Sequence, residues 1–353
     1  MQASPPARIL FGVYVVLAIY ASLYPLSGWR DQGLSPFAYL ASPWPRYDTA
    51  FDLAANLLGY LPFGFLCIAA LRPRLEGALA FGVTLAGAGA LSLVLEALQS
   101  YLPSRVATNL DVLCNVGGAA LGAALALAAA PRLLIEGPLR RLRAAAFLPG
   151  VGIDVGLVLL GLWLFTQLNP ATLLFAAGDL RDLFSAGREE VRPGYFVAIE
   201  ALTAAANLIA VGLLLSVIVR REQPAHALFV GLVVVALLVK TAAFAIVMRA
   251  ENLLAWMTPG AQVGLAAGVV LALALMSLPR TARLAVAATL VMAATVLVND
   301  APANPYFAAT LKVWQQGHFL NFNGLTRLVS ALWSFAAAAY LIWLAARKPE
   351  SVS

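Results

Sequence analysis

Ten apolar runs, most of them long enough to cross a bilayer, follow one another along this chain and leave little room for any other architecture. They cover about 8–26, 53–71, 77–100, 110–130, 151–169, 195–219, 227–248, 260–279, 284–298 and 327–346. A helix needs roughly 20 apolar residues to span the hydrocarbon core. In lipid, only helices and closed barrels satisfy their own backbone groups. These runs are continuous and rich in Ala, Leu and Val, without the alternation of barrel strands. The sequence therefore predicts an all-α polytopic membrane protein of about ten transmembrane helices. Charged residues agree, at 11% of the chain against about 25% in soluble domains.

The first run, Ile9–Tyr24, has no small-residue cleavage site before Pro25, so it reads as a retained helix. Cys67 and Cys114 fall inside runs, with no CxxC and no His cluster nearby. They read as buried thiols, and no metal site, disulfide framework or cofactor is indicated.

Basic residues sit in the short connections and alternate between the two sides. One side collects 13 bases, from Arg8, Arg72 and Arg74 through Arg140, Arg141 and Arg143 to Lys348, against five acids. The other holds the remaining 10 of 23 bases against 12 of 17 acids. Excess Lys and Arg mark the cytoplasmic side, which places both termini inside. The net charge of +6 is thus a topology signal. It argues against a nucleic-acid surface, which would gather its bases on one face. Membrane lipid is the expected partner, with the 140–143 cluster facing the anionic inner leaflet.

Residues 95–118, LEALQSYLPSRVATNLDVLCNVGG, break the apolar pattern. In the predicted topology the third helix runs outward to about Tyr101 and the fourth returns from about Leu110. Glu96, Gln99, Arg105, Asp111 and Asn115 then form a layer near the outer boundary, with Asp52 and Asn56 of the second helix at the same depth. Each residue has a plain structural reading as well. Asp52 and Asn109 stand where N-caps belong, and Asp111 lies in a first turn, where the helix dipole favours an anion. Thr108 or Asn109 already supplies a cap there, so the Asp111 carboxylate asks for another explanation. Glu96 and Gln99 share a helix face with Ser92. A lone carboxylate at mid-bilayer costs on the order of 2.5–3.5 kcal/mol, less near the surface. Glu96 should therefore pair, and Arg105 is the nearest base in sequence. The pair is either a clamp on the hairpin or part of a site. Asn56 and Asn115 either tie helices together or line that same site. Pro62, between Gly59 and Gly64, should kink or interrupt the second helix. His318, in HFLNFNG beside Trp314, Phe319 and Phe322, reads as part of an aromatic anchor rather than a site.

Short strings recur in order. YASLYP at Tyr20–Pro25 is echoed by FTQLNP at Phe165–Pro170, 145 residues on; AANL at Ala54–Leu57 by Ala205–Leu208, 151 on; and GAALG at Gly118–Gly122 by GAQVG at Gly260–Gly264, 142 on. The implied unit is four helices repeated in tandem, a parallel repeat about an axis along the membrane normal. The expected domains are a four-helix unit at 1–131, a basic cytoplasmic linker at 132–150, a diverged second unit at 151–280, and two C-terminal helices at 281–353 with an outer loop at 299–326. The second unit places Glu200, Asn207, Lys240, Arg249 and Glu251 at its outer end.

Residues 52–122 resemble the VanZ-like family of bacterial membrane proteins. The resemblance is carried by Asp52-x3-Asn56 leading into LPFGF at Leu61–Phe65, by LEALQ at Leu95–Gln99, by PSR at Pro103–Arg105 and by DVLCNVGGAALG at Asp111–Gly122. It implies a bacterial cell-envelope protein of the inner membrane. The family's namesake is linked to tolerance of the glycopeptide antibiotic teicoplanin, and no reaction follows from the resemblance. The expected function is non-enzymatic: an outward-facing polar pocket of Asp52, Asn56, Glu96, Gln99, Arg105, Asp111 and Asn115 that engages an amphiphile. That ligand is a lipid, a lipid-linked glycan or a lipophilic glycopeptide, with Arg105 meeting its phosphate or carboxylate. Two alternatives stay open. One is an intramembrane hydrolase or transferase with Glu96 or Asp111 as base, though no nucleophile motif accompanies them. The other is a lipid or small-molecule transporter, for which Lys240 inside the seventh helix is the best support.

Overall fold

The computed structural model describes residues 5–33, 35–44, 50–130, 138–181, 193–247, 253–302, 304, 306 and 320–347. The chain divides into two compact units, Met1–Ala145 and Ala146–Ser353. Both are helical, and among the described residues the β-structure is a single isolated bridge between Phe147 and Val219. Among the described residues, eight helices are long and apolar enough to cross a membrane, and two apolar helices are shorter. The ten predicted spans are thus matched by ten apolar helices of a multi-pass membrane protein.

Unit 1 contains α1 (Pro5–Leu23), α2 (Ala50–Leu71), α3 (Gly77–Gln99) and α4 (Asn109–Ala130). The basic segment expected as a linker contains a further short helix, α5 (Pro138–Ala146). α2 and α4 form the most extensive helix pair of the unit, and glycine makes the approach possible. Gly118 and Gly122 of α4 lie against the Leu57 and Leu61 carbonyls of α2, while Gly64 of α2 lies against the Ala119 carbonyl. Without water to drive burial, close backbone packing between small residues is what holds membrane helices together. α2 runs through Pro62 without a break, so the expected interruption does not occur. Neighbouring helices allow a membrane helix to tolerate the missing N–H.

Unit 2 contains α6 (Val151–Thr166), α7 (Pro193–Ile218), α8 (Ala225–Val247), α9 (Pro259–Leu275), α10 (Arg280–Asp300) and α11 (Leu320–Ala346). α7 is its most buried helix, apolar around most of its circumference as an enclosed helix should be, with Glu200, Thr203, Asn207 and Ser216 as its buried polar residues. α9 and α10 pack on α7, and α11 packs on α6 and α10. Trp333 Nε1 of α11 donates to the Leu159 carbonyl at 2.7 Å, and the Tyr340 hydroxyl to that of Gly152 at 2.9 Å. Arg249, Glu251, Trp314, His318 and Phe319 lie outside the described residues, as do the side chains of Asp52 and Phe322.

Candidate functional site

The C-terminal ends of α1 and α3 and the N-terminal ends of α2 and α4 meet at one end of unit 1. The polar residues of the LEALQ…DVLCN stretch gather there. Thr108 is the N-cap of α4: its hydroxyl accepts the Asp111 N–H at 3.0 Å, satisfying one of the orphan donors of the helix start. The Thr108 N–H in turn donates to Glu96 Oε2 at 3.1 Å. Glu96 is 4% exposed. It is thus held by the start of α4, where the positive end of the helix dipole offsets part of its desolvation.

Three helices each contribute two polar residues one turn apart, which puts both on the same face. α2 supplies Asn56 and Tyr60, α3 supplies Ser92 and Glu96, and α4 supplies Asp111 and Asn115. Asn56 Nδ2 donates to Asp111 Oδ1. Asn115 Nδ2 donates to Ser92 Oγ at 2.9 Å. Two atoms are left over. Asn115 Oδ1 and the Tyr60 hydroxyl are buried with no hydrogen bond of good geometry among the described residues, in side chains 6% and 7% exposed, and the Tyr60 hydroxyl lies beside Ser92. Buried polar atoms are paired in the large majority of cases, so two orphans in one cluster mark a place where something else can bind. The Glu96 and Asp111 carboxylates are also close enough for their charges to interact.

Arg105 and Gln99 have other roles. The guanidinium does not hydrogen-bond Glu96. Its Nε and Nη2 donate to the Tyr24 carbonyl at 3.1 and 2.8 Å, and Nη2 also reaches the Ala21 carbonyl at 3.2 Å. Gln99 Nε2 donates to the Ser22 carbonyl at 2.8 Å. Both side chains thus bind carbonyls at the C-terminal end of α1, where a cation is favoured. Arg105 still senses the cluster electrostatically: burial lowers its pKa and the nearby Glu96 carboxylate partly opposes that. Among the described contacts Glu96 and Arg105 thus interact through their charges, while their hydrogen bonds go to the start of α4 and the end of α1.

A connection after α1 covers this end. The Arg30 N–H donates to the Tyr101 carbonyl at 2.9 Å, Gln32 Nε2 to Ser100 at 2.6 Å, and Asn109 Nδ2 to the Ser42 carbonyl at 2.8 Å. The Tyr39 hydroxyl donates to the Leu93 carbonyl at 3.3 Å. Burial, and after it the Glu96 carboxylate, raise the Tyr39 pKa above its ordinary value. The cover exposes Trp29, Phe37, Leu40 and Trp44, side chains suited to the membrane–water interface.

Sequence reasoning missed Tyr60 and Tyr39, which it counted only as apolar bulk. For Tyr60 a usable signal existed, since it lies one turn after Asn56. No curated protein and no solved structure shows a significant match to the chain. Residues 11–130, the stretch of α1–α4 that builds the polar cluster, match the family model described as VanZ/LLP1, and the chain thus contains a VanZ-like membrane domain.

Proposed function

We propose that the VanZ-like unit is a non-enzymatic envelope component whose polar cluster, facing away from the cytoplasm, engages the headgroup of an amphiphile. The observation that carries this reading is the buried Asn115 Oδ1, an acceptor with no hydrogen bond among the described residues, beside the Glu96 and Asp111 carboxylates and the Tyr60 hydroxyl. Oδ1 and the carboxylates are acceptors, so they favour a ligand that brings donors. Hydroxyls of a lipid-linked glycan, or the amines and hydroxyls of a lipophilic glycopeptide such as teicoplanin, fit better than a bare phosphate or carboxylate. Arg105, assigned to the anionic group of the ligand on sequence grounds, becomes a residue that fixes the site to α1. The exposed aromatic cover gives the apolar part of the ligand a surface to rest on. Tolerance of glycopeptides is the physiological setting that the family resemblance suggests.

Native mass spectrometry of the protein extracted in mild detergent tests the reading. A retained amphiphile with amine or sugar groups, lost on Glu96→Gln, is the expected result. A protein that retains only bulk phospholipid, unchanged by that substitution, overturns it. Orientation is tested separately in intact cells, in a background without Cys67 and Cys114. A cysteine at exposed Ser104 should react with an impermeant thiol reagent, and one at exposed Leu142 should not; the opposite pattern would place the cluster inside. The nearness of Glu96 and Asp111 favours one second reading, a general acid–base pair. Turnover of a retained amphiphile, abolished by Asp111→Asn, would establish it.

A further inference from the structure

At the opposite end of unit 1, a crevice of about 470 Å³ opens between the start of α1 and the end of α2. Ligand pockets begin at about 300 Å³, so the space is sufficient for a small headgroup with the beginning of a chain. Its lining is divided by chemistry. Arg8 and Arg74 supply charge, while Phe11, Cys67, Leu71 and Leu75 supply an apolar wall. Behind the wall, Phe11 packs edge-on against Phe63, with ring centroids 5.2 Å apart. Arg8 Nε donates to the Ala70 carbonyl at 3.3 Å, which orients the guanidinium and leaves its two terminal nitrogens outside that bond. The Arg74 side chain makes no hydrogen bond among the described residues.

Two guanidinium groups beside a channel of aromatic, thiol and leucine side chains complement one kind of molecule: an anion joined directly to a hydrocarbon chain. Guanidinium binds phosphate oxygens in a forked geometry. In membranes, basic pockets between helices on the cytoplasmic side bind anionic headgroups. We propose that the crevice seats one anionic phospholipid, with its phosphate between Arg8 and Arg74 and the first part of an acyl chain along Phe11, Cys67 and Leu71. This site is separate from the polar cluster and stands whether or not that cluster binds an amphiphile.

Cys67 lines the crevice at 7% exposure and reports on it through the crevice mouth. With Cys114 replaced by Ala, it is the one thiol in a chain of two cysteines. The full-length protein in detergent is treated with N-ethylmaleimide while phosphatidylglycerol, phosphatidylcholine of the same chains, or inorganic phosphate is titrated in. Phosphatidylglycerol should slow labelling at concentrations where the other two do not. Arg8→Gln and Arg74→Gln should each raise the concentration for half-protection about fivefold. Arg74→Gln breaks no described hydrogen bond, so a change of fold would not explain its effect. Equal protection by phosphatidylcholine, equal protection by inorganic phosphate, or an unchanged phosphatidylglycerol titration in Arg74→Gln would each overturn the proposal. No labelling in the absence of lipid would mean a closed crevice and would overturn it as well.

Discussion

Units 1 and 2 each hold a buried glutamate near a cation, but on different elements. Glu96 lies on α3 and Glu200 on α7, while Arg105 precedes α4 and Lys240 lies within α8. In each unit a threonine caps a glycine-bearing helix and binds a buried glutamate. Thr108 does so at α4 through its N–H to Glu96, and Thr258 at α9 through its hydroxyl to Glu200 at 2.6 Å. In each unit a cation binds carbonyls after the first helix. Arg105 takes Tyr24, and Lys240 Nζ takes Asn169 at 2.7 Å and Thr172 at 2.9 Å. Tyr24 and Asn169 are the matching positions of YASLYP and FTQLNP. The central helix contact also corresponds, α2 on α4 and α7 on α9, whereas α8 and α9 lack the extensive contact that α3 makes with α4. Leu57 meets Gly118 in one unit and Leu208 meets Gly268 in the other, each glycine ten residues after its capping threonine. We propose that α6–α9 are a diverged copy of α1–α4, a pairing that aligns Thr258 with Thr108. In that pairing GAALG and GAQVG are out of register by about two turns, because Gly260 meets Val197 and Glu200 instead.

In that register, unit 2 serves as an internal control. Asn207 stands where Asn56 does, but Ala261 replaces Asp111, Leu265 replaces Asn115 and Val211 replaces Tyr60. With no acid facing it, Asn207 Nδ2 turns back to the Thr203 carbonyl of its own helix at 3.1 Å. The same helix pair therefore packs without the second carboxylate, although it too leaves two buried oxygens, Thr203 Oγ1 and Asn207 Oδ1, with no hydrogen bond among the described residues. The Asp111 carboxylate is the group that unit 1 has and unit 2 lacks. In unit 1 the buried Glu96 has the half-buried Asp111 and Arg105 near it, and in unit 2 Glu200 and Lys240 are both buried.

The largest effect is expected where charge is balanced and fully enclosed. Lys240 is 1% exposed and Glu200 likewise. Lys240→Met should destabilise unit 2 by about 3–5 kcal/mol, because it leaves a buried carboxylate without its counter-charge. Adding Glu200→Gln should recover a large part. The readout is the detergent-solubilised melting transition of the two single variants and the double. The equivalent cycle on Glu96 and Arg105 should show weaker coupling, because Arg105 is only half-buried whereas Lys240 is fully enclosed. Additive effects in unit 2 would remove the distinction between the units.

Next in size is the glycine interface, which differs in tightness. A Cβ on Gly122 would overlap the Leu61 carbonyl, whereas one on Gly268 would lie 3.1 Å from its nearest neighbours. Gly122→Ala should cost at least 1–3 kcal/mol, the usual range for overpacking, and should lower the yield of monodisperse protein in size-exclusion chromatography. Gly268→Ala should be mild. Equal yields for the two would mean that α2 and α4 can separate without penalty.

The helices were legible because apolar length is a direct consequence of bilayer thickness, and the polar cluster because carboxylates are rare in such runs. What was not legible has physical reasons. Arg105 and Gln99 bind backbone carbonyls, groups that every residue carries and no sequence pattern marks. Tyr60 has an apolar ring and a polar tip, so its hydroxyl does not show in hydropathy. Pro62 signals a break only when its neighbours leave room for one. Gly-x3-Gly spacing recurs within single helices, so a short match can slip along the helix and still look convincing.

Asp111 gives the smallest expected change in stability and the clearest separation of site from scaffold. As a first-turn anion it contributes about 0.3–1 kcal/mol to its helix, and Ala261 shows that the corresponding turn in unit 2 forms without it. Thr108 keeps the cap in any Asp111 variant, since it accepts the N–H of residue 111 and not its side chain. Asp111→Asn keeps the shape and can still accept from Asn56. A purely structural residue would therefore leave membrane abundance and ligand retention unchanged. If the second carboxylate is what the headgroup donors seek, the protein should reach normal abundance and melt nearly as before, yet lose its retained amphiphile. Asp111→Ala, which copies unit 2, should give the same loss with a slightly larger fall in melting temperature. Full retention in both variants, measured by native mass spectrometry at matched protein levels, would assign the cluster to scaffolding and erase the functional difference between the two units.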